Sequence, residues 1–422
     1  LSKAPTDADQ KPLLAVPPKA VVERDGQKVV LRIAADDTLV QLPVTLGRTL
    51  GDVVEVKKNH ILAHLPYFTE RHSLIVGGNE YEVPNQLRLK PGVYTRERGN
   101  GEFEAAFNLS KGDNFRISME PETGKLKAEF GTTTIPLRPV LKALGITDNT
   151  MKQHWGGELF AANLAAKGTT EEAALGKLVT RLKRPKDSVA DTIEAKQRFI
   201  SEYFDNTRMD AEVNKRTLGA GFDRVTGGAL LSASKKLLDV HRGAAQGDDR
   251  DSLEFKTVHT VDDFFKERLE KEAKRTVGQK LVWKLNQGKG KSLKEIVPNS
   301  PFTRPLNSFL TTSTIAAIPT QYNPIELIDH SSKMTSLGEG GIGSERAIPF
   351  DSRKVHSTHY GVLDPVRTPE SGHAGIDVRA SMGAHRDAVG NLYGTFRNAR
   401  TGKLEQVPVT RLAQATVGFS GQ

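Results

Sequence analysis

The sequence has no cysteine, only two tryptophans among 422 residues, and no long uninterrupted apolar run. Without cysteine the chain cannot form disulfide scaffolds, thiolate zinc sites, iron–sulfur clusters or cysteine nucleophiles. No window approaches the roughly 18 consecutive apolar residues of a membrane-spanning helix, so the sequence predicts no such helix. A Gly-x-Ser-x-Gly nucleophile elbow is also missing, and nucleophilic catalysis therefore finds no support.

The composition is that of a folded chain with an excess of positive charge. Hydrophobic residues make up 37% of the sequence, and its length suggests two to three domains with buried cores. Lys and Arg number 60 against 51 Asp and Glu, which gives a net charge of +9. Residues 264–297 alone hold ten basic and four acidic side chains. Such an excess suits a polyanionic partner, although many basic proteins have none.

Local patterns predict an α+β chain of several modules. Gly77-Gly78-Asn79 between two strand-like runs is a hairpin signal, and Pro91-Gly92 predicts a turn before another strand. Apolar residues at helical spacing predict helices within 191–209 and 264–282. The predicted modules are a disordered leader (1–19), a β-rich module (20–158), a helical module with a shortened lobe (159–297) and a loop-rich module (298–422).

Four local clusters could carry chemistry, and each has a simpler explanation. Gly338–Gly343 could cradle a phosphate or be a flexible turn, and it lacks the Gly-Lys-Ser/Thr ending of a P-loop. His356 and His359 could share a metal or serve structural hydrogen bonds. The acidic run Asp248–Asp251 could bind magnesium or form a solvated turn. The basic stretch Lys284–Lys294 could meet phosphates or be solvated surface.

The order of motifs along residues 323–381 is more specific than any single cluster. The motifs read Asn323-Pro324, His330, Leu337-Gly338-Glu339-Gly340-Gly341, Glu345-Arg346-Ala347, Val355-His356-Ser357-Thr358-His359-Tyr360-Gly361, Thr368-Pro369-Glu370 and Gly375-Ile376. This order resembles the β subunit of multisubunit, DNA-dependent RNA polymerases, in the stretch that lines the rifamycin pocket and forms fork loop 2. Gly78-x-Glu80, Gln86-Leu87 and Pro91-Gly92-Val93 look like the protrusion of that subunit, and Asp248–Asp251 looks like its Asp-rich turn. The fold class implied is α+β, with protrusion-like, lobe-like and fork-like modules.

The resemblance implies two groups of binding residues. The family's pocket for an unstacked non-template guanine falls on Asp251, Lys256 and Ile342, and the alternative is that Asp251 only caps the following turn. The other residues implied to bind nucleic acid are Gly340, Gly341, Glu345, Arg346 and Glu370. The positions that line the rifamycin pocket are Ala317, Thr320, His330, Lys333, Thr335 and Ser344. Five of these six differ from the drug-sensitive pattern, so the resemblance implies resistance to rifampicin.

The resemblance also implies that the chain is an RNA polymerase subunit that is inactive alone. The family binds its catalytic Mg²⁺ on the β′ subunit, so no catalytic residue and no metal ligand is expected here. The expected partners are the C-terminal half of the β subunit, β′-like subunit parts, double-stranded DNA template, nascent RNA and NTP substrates, with no membrane. The chain would form one wall of the DNA/RNA channel and the fork loop near the active centre.

The departures from the family pattern resemble the split β subunits of giant tailed bacteriophages. The lobe between about 155 and 190 looks shortened, and the chain covers roughly the N-terminal half of a β subunit. Leu1 fits trimming by a phage protease, as expected for a polymerase packaged in the virion and delivered to the host cytoplasm. One alternative is a nucleic-acid-binding structural protein of a virion or nucleoid without polymerase activity. Another is a phosphate enzyme built on the Gly338–Gly343 loop, which would need a strand–loop–helix context.

Overall fold

A computed structural model describes strand segments between residues 15 and 55 and then residues 63–164, 170–183, 189–287, 300–320 and 322–418. The predicted leader, apart from Ala15–Val16, and the predicted basic stretch from residue 288 onward lie outside the described residues. The described chain mixes helices with several sheets, in agreement with the predicted α+β class. Among these residues no helix is long and apolar enough to cross a bilayer.

The chain divides into two compact units, each built from separate segments. The first unit comprises Leu1–Leu87, Val258–Lys354 and Leu363–Met382, and the second comprises Arg88–Thr257, Val355–Val362 and Gly383–Gln422. Each unit therefore joins parts of the sequence that lie far apart along the chain. The predicted module boundaries at 158/159 and 297/298 stay predictions.

The second unit is centred on an antiparallel five-stranded meander covered by helices. Its strands run in the order β11 (Gly92–Glu97), β12 (Phe103–Asn108), β13 (Phe115–Met119), β14 (Leu126–Phe130) and β15 (Thr133–Pro136). The helices are α1 (Leu137–Ala143), α2 (Asp148–Trp155), α3 (Gly157–Leu164), α4 (Glu171–Leu182), α5 (Ile193–Asp205), α6 (Ala211–Leu218) and α7 (Gly227–His241). A smaller sheet of β20 (His385–Arg386), β21 (Leu392–Arg397) and β22 (Leu404–Pro408) precedes α12 (Val409–Leu412).

Aromatic rings fill the core of this meander. Phe107 stacks on Phe115 at 4.4 Å between ring centroids, and Phe115 stacks on Phe130 at 4.6 Å. Phe204 of α5 packs against Phe115 at 5.8 Å. Trp155 is 1% exposed and donates its Nε1–H to Ser234 Oγ at 2.9 Å. The burial of these rings stabilises the unit, since each removes a large apolar surface from water.

The first unit contains small antiparallel sheets and one five-stranded sheet. The small sheets join β1 (Ala15–Val16), β6 (Val53–Glu55) and β5 (Thr49–Leu50); β2 (Val22–Arg24), β3 (Gln27–Ile33) and β4 (Leu39–Thr45); and β7 (Tyr67–Phe68), β8 (Leu74–Val76) and β9 (Asn79–Tyr81). The five-stranded sheet has the order β16 (Lys256–His259), β10 (Asn85–Leu89), β17 (Lys333–Thr335), β19 (Asp377–Ala380) and β18 (Leu363–Asp364). Strands β10 and β16 each contain a boundary between the units.

Four helices lie in the part of the first unit that the structure describes. They are α8 (Val261–Glu272), α9 (Gly278–Gln287), α10 (Thr303–Thr312) and α11 (Pro324–Ser331). A π-helical turn, Ala273–Val277, lies between α8 and α9, within the predicted helix 264–282. Phe264 of α8 packs against Phe309 of α10 at 5.7 Å between ring centroids. On α9, Trp283 is 59% exposed.

The short-range signals in the sequence are confirmed. Gly77 and Gly78 join β8 to β9 with φ of +59° and +85°, values that favour glycine in a two-residue hairpin turn. Strand β11 begins at Gly92, directly after Pro91. Helix α5 falls within the predicted 191–209 range and buries Ile200 and Phe204 on one face.

Candidate nucleic-acid interface

In the second unit, the Asp-rich turn is fixed by a buried carboxylate. Asp248 Oδ2 accepts hydrogen bonds from Thr95 N at 2.7 Å and from Thr95 Oγ1 at 2.8 Å. Its other oxygen, Oδ1, accepts from Lys236 Nζ at 2.6 Å. The side chain of Asp248 is only 9% exposed, so these bonds form with little competition from water. Asp248 therefore anchors the turn to β11 and α7 and is not available to a metal ion.

Asp251 is a half-buried residue of this turn, and its backbone N–H is hydrogen-bonded within the turn. Its N–H donates to Asp249 Oδ1 at 2.9 Å. The following 3₁₀ turn, Leu253–Phe255, is capped by Ser252, whose Oγ accepts from Glu254 N at 3.4 Å. The residue at the N-cap of that turn is thus Ser252 and not Asp251.

Lys256 lies close to Asp251 and lines a cavity. Burial lowers the pKa of Lys256, and the negative charge of Asp251 opposes that shift. The cavity measures about 260 Å³, and its wall combines basic side chains such as Lys90 and Arg216 with carboxylates such as Asp210 and with apolar groups. Asp251 and Lys256 therefore lie close together in the second unit.

The turn His356–His359 also belongs to the second unit. His356 Nε2 contacts Asp249 Oδ2 at 2.8 Å, and His359 Nδ1 accepts from His356 N at 3.2 Å. Burial, assisted by the neighbouring His356, lowers the pKa of His359 to about 4. Across the described ranges no group of three or more His, Cys, Asp or Glu side chains could hold a metal ion. The two histidines serve hydrogen bonds.

In the first unit, the glycine loop Gly338–Gly343 closes on itself and on Gln86. Gly338 N donates to Ile342 O, and Ile342 N donates to Ser336 O, both at 3.0 Å. Gln86 is fully buried in β10, and its Nε2 donates to Leu337 O at 2.7 Å. The base of the loop is therefore fixed by hydrogen bonds, whereas its tip is exposed.

Glycine is required in this loop by close contacts and by backbone conformation. Gly338 and Gly340 have φ of +109° and +84°. A Cβ on Gly341 would lie 2.6 Å from Gln86 Nε2 and 2.8 Å from Ser336 O, closer than non-bonded atoms approach. A Cβ on Gly343 would meet nothing within 4 Å. The geometry of the loop thus requires glycine at positions 338, 340 and 341 but not at 343.

The segment after the loop is held mainly by Arg353. Its Nη2 donates to Glu345 O at 3.2 Å, and its Nη1 donates to Gly372 O. The Glu345 carboxylate contacts His373 Nε2 at 3.5 Å, while Arg346 and Glu370 are exposed and Ile342 is half-buried. The charge-assisted bonds at the base of the loop therefore come from Arg353, a residue that the sequence did not single out.

The positions that resemble the rifamycin pocket converge partly on strand β17. Lys333 and Thr335 lie on this strand, which pairs with β19 so that Thr335 is opposite Asp377. Lys333 Nζ contacts Asp377 Oδ2 at 3.3 Å, and His373 Nδ1 contacts the same oxygen at 3.0 Å. Burial alone would raise the pKa of Asp377, but hydrogen bonds from Thr335 and His373 and the charge of Lys333 outweigh it and lower that pKa.

His330 has a carboxylate partner of its own. Its Nδ1 lies 2.6 Å from Glu82 Oε1. Burial raises the pKa of Glu82, while the charges of His330 and Lys333 oppose the shift. Ala317 pairs with Glu82 through two backbone hydrogen bonds of 2.8 and 3.0 Å. Ala317, His330, Lys333 and Thr335 are therefore linked through Glu82 and the five-stranded sheet, whereas Thr320 and Ser344 are exposed.

Four residues that contact the predicted site residues could not be identified from the sequence: Glu82, Arg353, His373 and Asp377. Each meets its partner through strand pairing or loop packing between distant parts of the chain, so local spacing carries no signal for them. Among the predicted guanine-pocket residues, Asp251 and Lys256 belong to the second unit and Ile342 belongs to the first.

Comparisons with known proteins place this chain near one family. The family described as RNA polymerase Rpb2, domain 3, matches residues 318–379. Over 379 residues the chain is 25% identical to the DNA-directed RNA polymerase subunit beta of Trichormus variabilis, covering 85% of this chain and 33% of that protein. The same-named subunit of a Synechocystis strain is 27% identical over 357 residues, covering 80% of this chain and 32% of the relative.

The chain is similar to one part of each of these relatives. It spans about a third of the length of the curated relatives it matches. The family match includes the glycine loop, β17 and Asp377. The chain thus contains a region similar to the β subunit of DNA-directed RNA polymerase, and the relatives are subunits of a nucleotidyltransferase.

The contact geometry of the glycine loop predicts unequal effects of two alanine substitutions. Gly341→Ala should displace Gln86 and loosen the loop, since overpacking of this kind costs about 1–3 kcal/mol. Amide hydrogen exchange of Gly338 and Ile342 should then accelerate by roughly fivefold or more. Gly343→Ala is the matched control and should leave exchange unchanged. Equal exchange in both variants would contradict the tight contact with Gln86.

The low pKa of His359 predicts a pH dependence of stability. Between pH 6.5, the ordinary value, and about 4, the unfolded chain binds a proton that folded His359 does not bind. The stability contributed above pH 6.5 is therefore lost as pH falls through this window, by about 2–4 kcal/mol in total. Lys256 and His356 disfavour the added charge, and Asp251 favours it. Denaturant unfolding at a series of pH values should give a shallower slope for His359→Gln, and identical slopes would contradict the assignment.

Proposed function

We propose that the chain is part of the β subunit of a DNA-dependent RNA polymerase and forms one wall of its DNA/RNA channel. The observation that carries this proposal is the family match over 318–379, which coincides with the glycine loop closed on Gln86. The net charge of +9 suits a partner with a phosphate backbone. The activity resides in the assembled enzyme, and this chain supplies walls and loops to it.

The glycine loop acts as the fork loop beside the melted DNA. Its tip, Glu339–Gly341, is exposed, while Gln86 and Arg353 fix its two ends. Such a design keeps a small backbone element at a constant position near the nucleic acid without bulky side chains. A rigid base with a slender tip can separate strands while leaving room for an unpaired base.

The neighbouring charges of Asp251 and Lys256 suit recognition of one unstacked guanine. A carboxylate accepts hydrogen bonds from the N–H groups on the Watson–Crick edge of guanine. The ammonium group of Lys256 meets the backbone as a point charge, without the planar fork of an arginine.

Chemistry and origin follow from the same proposal. Catalytic Mg²⁺ is bound by another subunit, as the resemblance to the RNA polymerase β subunit implies. The partners are the C-terminal half of β, β′-like parts, template DNA, nascent RNA and NTPs.

The shortened lobe supports a split phage polymerase, present in the virion and then in the host cytoplasm. A structural nucleic-acid-binding protein is the rival, and copurification with β′-like subunits and transcription by that complex would exclude it.

The guanine contact is tested by substituting Asp251 in the purified complex. Asp251→Ala should reduce the ratio of complex lifetimes with guanine and with adenine at the non-template position, since a good bidentate contact contributes about 1–3 kcal/mol. The ratio should fall at least roughly fivefold, with total RNA synthesis mostly retained. Asp223→Ala is the control, because the side chain of Asp223 pairs only with the adjacent Arg224 among its described contacts. A normal ratio in a fully assembled Asp251→Ala complex would refute the contact.

Rifampicin should not inhibit the complex. The two basic side chains in the pocket-like region are already paired, Lys333 with Asp377 and His330 with Glu82. The remaining polar positions differ as well, and each unmade hydrogen bond to a ligand costs about 1–3 kcal/mol. Two or three such losses weaken binding by roughly two to five decades. Transcription measured across a rifampicin titration checks this, and inhibition at submicromolar drug would show that the assignment of Ala317–Ser344 is wrong.

A further inference from the structure

The turn His356–His359 contacts residues 249–253, the end of the Asp-rich turn and the residues after it, at three points, although the two segments lie about a hundred residues apart in sequence. The first contact is made by Thr358, which is 5% exposed and accepts a hydrogen bond from Leu253 N at 3.0 Å. Leu253 is itself 2% exposed. A backbone N–H buried at this depth needs a partner, and Thr358 is the residue that supplies it.

The second contact continues from Thr358 through a histidine ring. His356 Nδ1 accepts from Thr358 N at 3.2 Å and lies 2.7 Å from Thr358 Oγ1. A nitrogen that accepts carries no proton, so the ring proton of neutral His356 resides on Nε2. That nitrogen is 2.8 Å from Asp249 Oδ2, to which it donates. The donors and acceptors thus run in one direction, from Leu253 N–H through Thr358 and His356 to Asp249.

The third contact is made by His359 on the backbone of Asp251 itself. Because His359 Nδ1 accepts from His356 N, its proton lies on Nε2, and the ring hydrogen-bonds to the backbone of Asp251. Its lowered pKa keeps the ring neutral near pH 7, which preserves this tautomer. The N–H of Asp251 is held in turn by Asp249. Asp251 is thereby held at its N–H by Asp249 of its own turn and at its backbone by His359 of the neighbouring turn.

We infer that the turn His356–His359 is a positioning element that aims Asp251 at an unstacked guanine. The inference rests on the proposed function and adds the residues that make the guanine contact directional. A carboxylate discriminates guanine only when its oxygens lie in the plane of the base edge. If the Asp-rich turn were flexible, Asp251 would present the same negative charge, but its oxygens would not stay in the plane of the base edge. Thr358 is therefore a positioning residue for base recognition.

The experiment compares three substitutions in the full chain within the purified complex. Thr358→Val keeps the shape but removes the acceptor for Leu253 N, whereas Thr358→Ser retains the hydroxyl. Thr395→Val is the matched control, because it also removes a hydroxyl hydrogen bond in the second unit, the one to Gly383 O at 2.8 Å. The two readouts are amide hydrogen exchange of Leu253 and the ratio of complex lifetimes with guanine and with adenine.

Thr358→Val should accelerate exchange of the Leu253 amide by roughly two- to tenfold, as expected for one lost hydrogen bond. It should also lower the guanine/adenine ratio at least threefold, with restoration in Thr358→Ser and no change in Thr395→Val. An unchanged ratio in Thr358→Val, alongside a reduced ratio in Asp251→Ala, would overturn the inference and leave the guanine contact standing. Unchanged ratios in both variants would overturn the contact and the inference together.

Discussion

The carboxylate of Asp248 links strand β11 to helix α7 in the second unit and, through Lys236, to helix α6. It accepts two hydrogen bonds from Thr95 on β11 and one from Lys236 on α7, and Lys236 also donates to Thr217 O of α6 at 2.6 Å. Removing one partner of a buried pair costs about 3–5 kcal/mol, because the other charge is left without compensation. The positions of Asp249 and Asp251 depend on this anchor, since they follow it directly in the chain.

The first unit relies on a different principle, a layer of buried polar groups between strands. Gln86, Thr335 and Asp377 occupy register positions on the adjacent strands β10, β17 and β19. Each side chain is less than a tenth exposed. Buried polar groups add little net stability, but their partners are specific, so a shift in strand register would leave several of them unpaired. The layer therefore fixes the register on which the glycine loop is built.

The sequence predicted features that depend on a few consecutive residues and missed those that depend on strand register. The turn at Gly77–Gly78 and helix α5 follow from local conformation and apolar spacing. The pairing of Lys333 with Asp377 needs β17 and β19 side by side, and no spacing rule reports that. The motif order in 323–381 pointed to the polymerase-like region because whole segments, and not single pairs, carried the resemblance.

The two tryptophans lie in contrasting environments, one in each unit. Trp155 of the second unit is buried with its indole N–H bonded to Ser234, whereas Trp283 of the first unit is mostly solvated. An indole held in an apolar core emits at shorter wavelength than a solvated one, because water relaxes around the excited dipole. The fluorescence spectrum of the chain is therefore a sum of two separable bands. Each unit carries its own optical reporter, supplied by the sequence without any label.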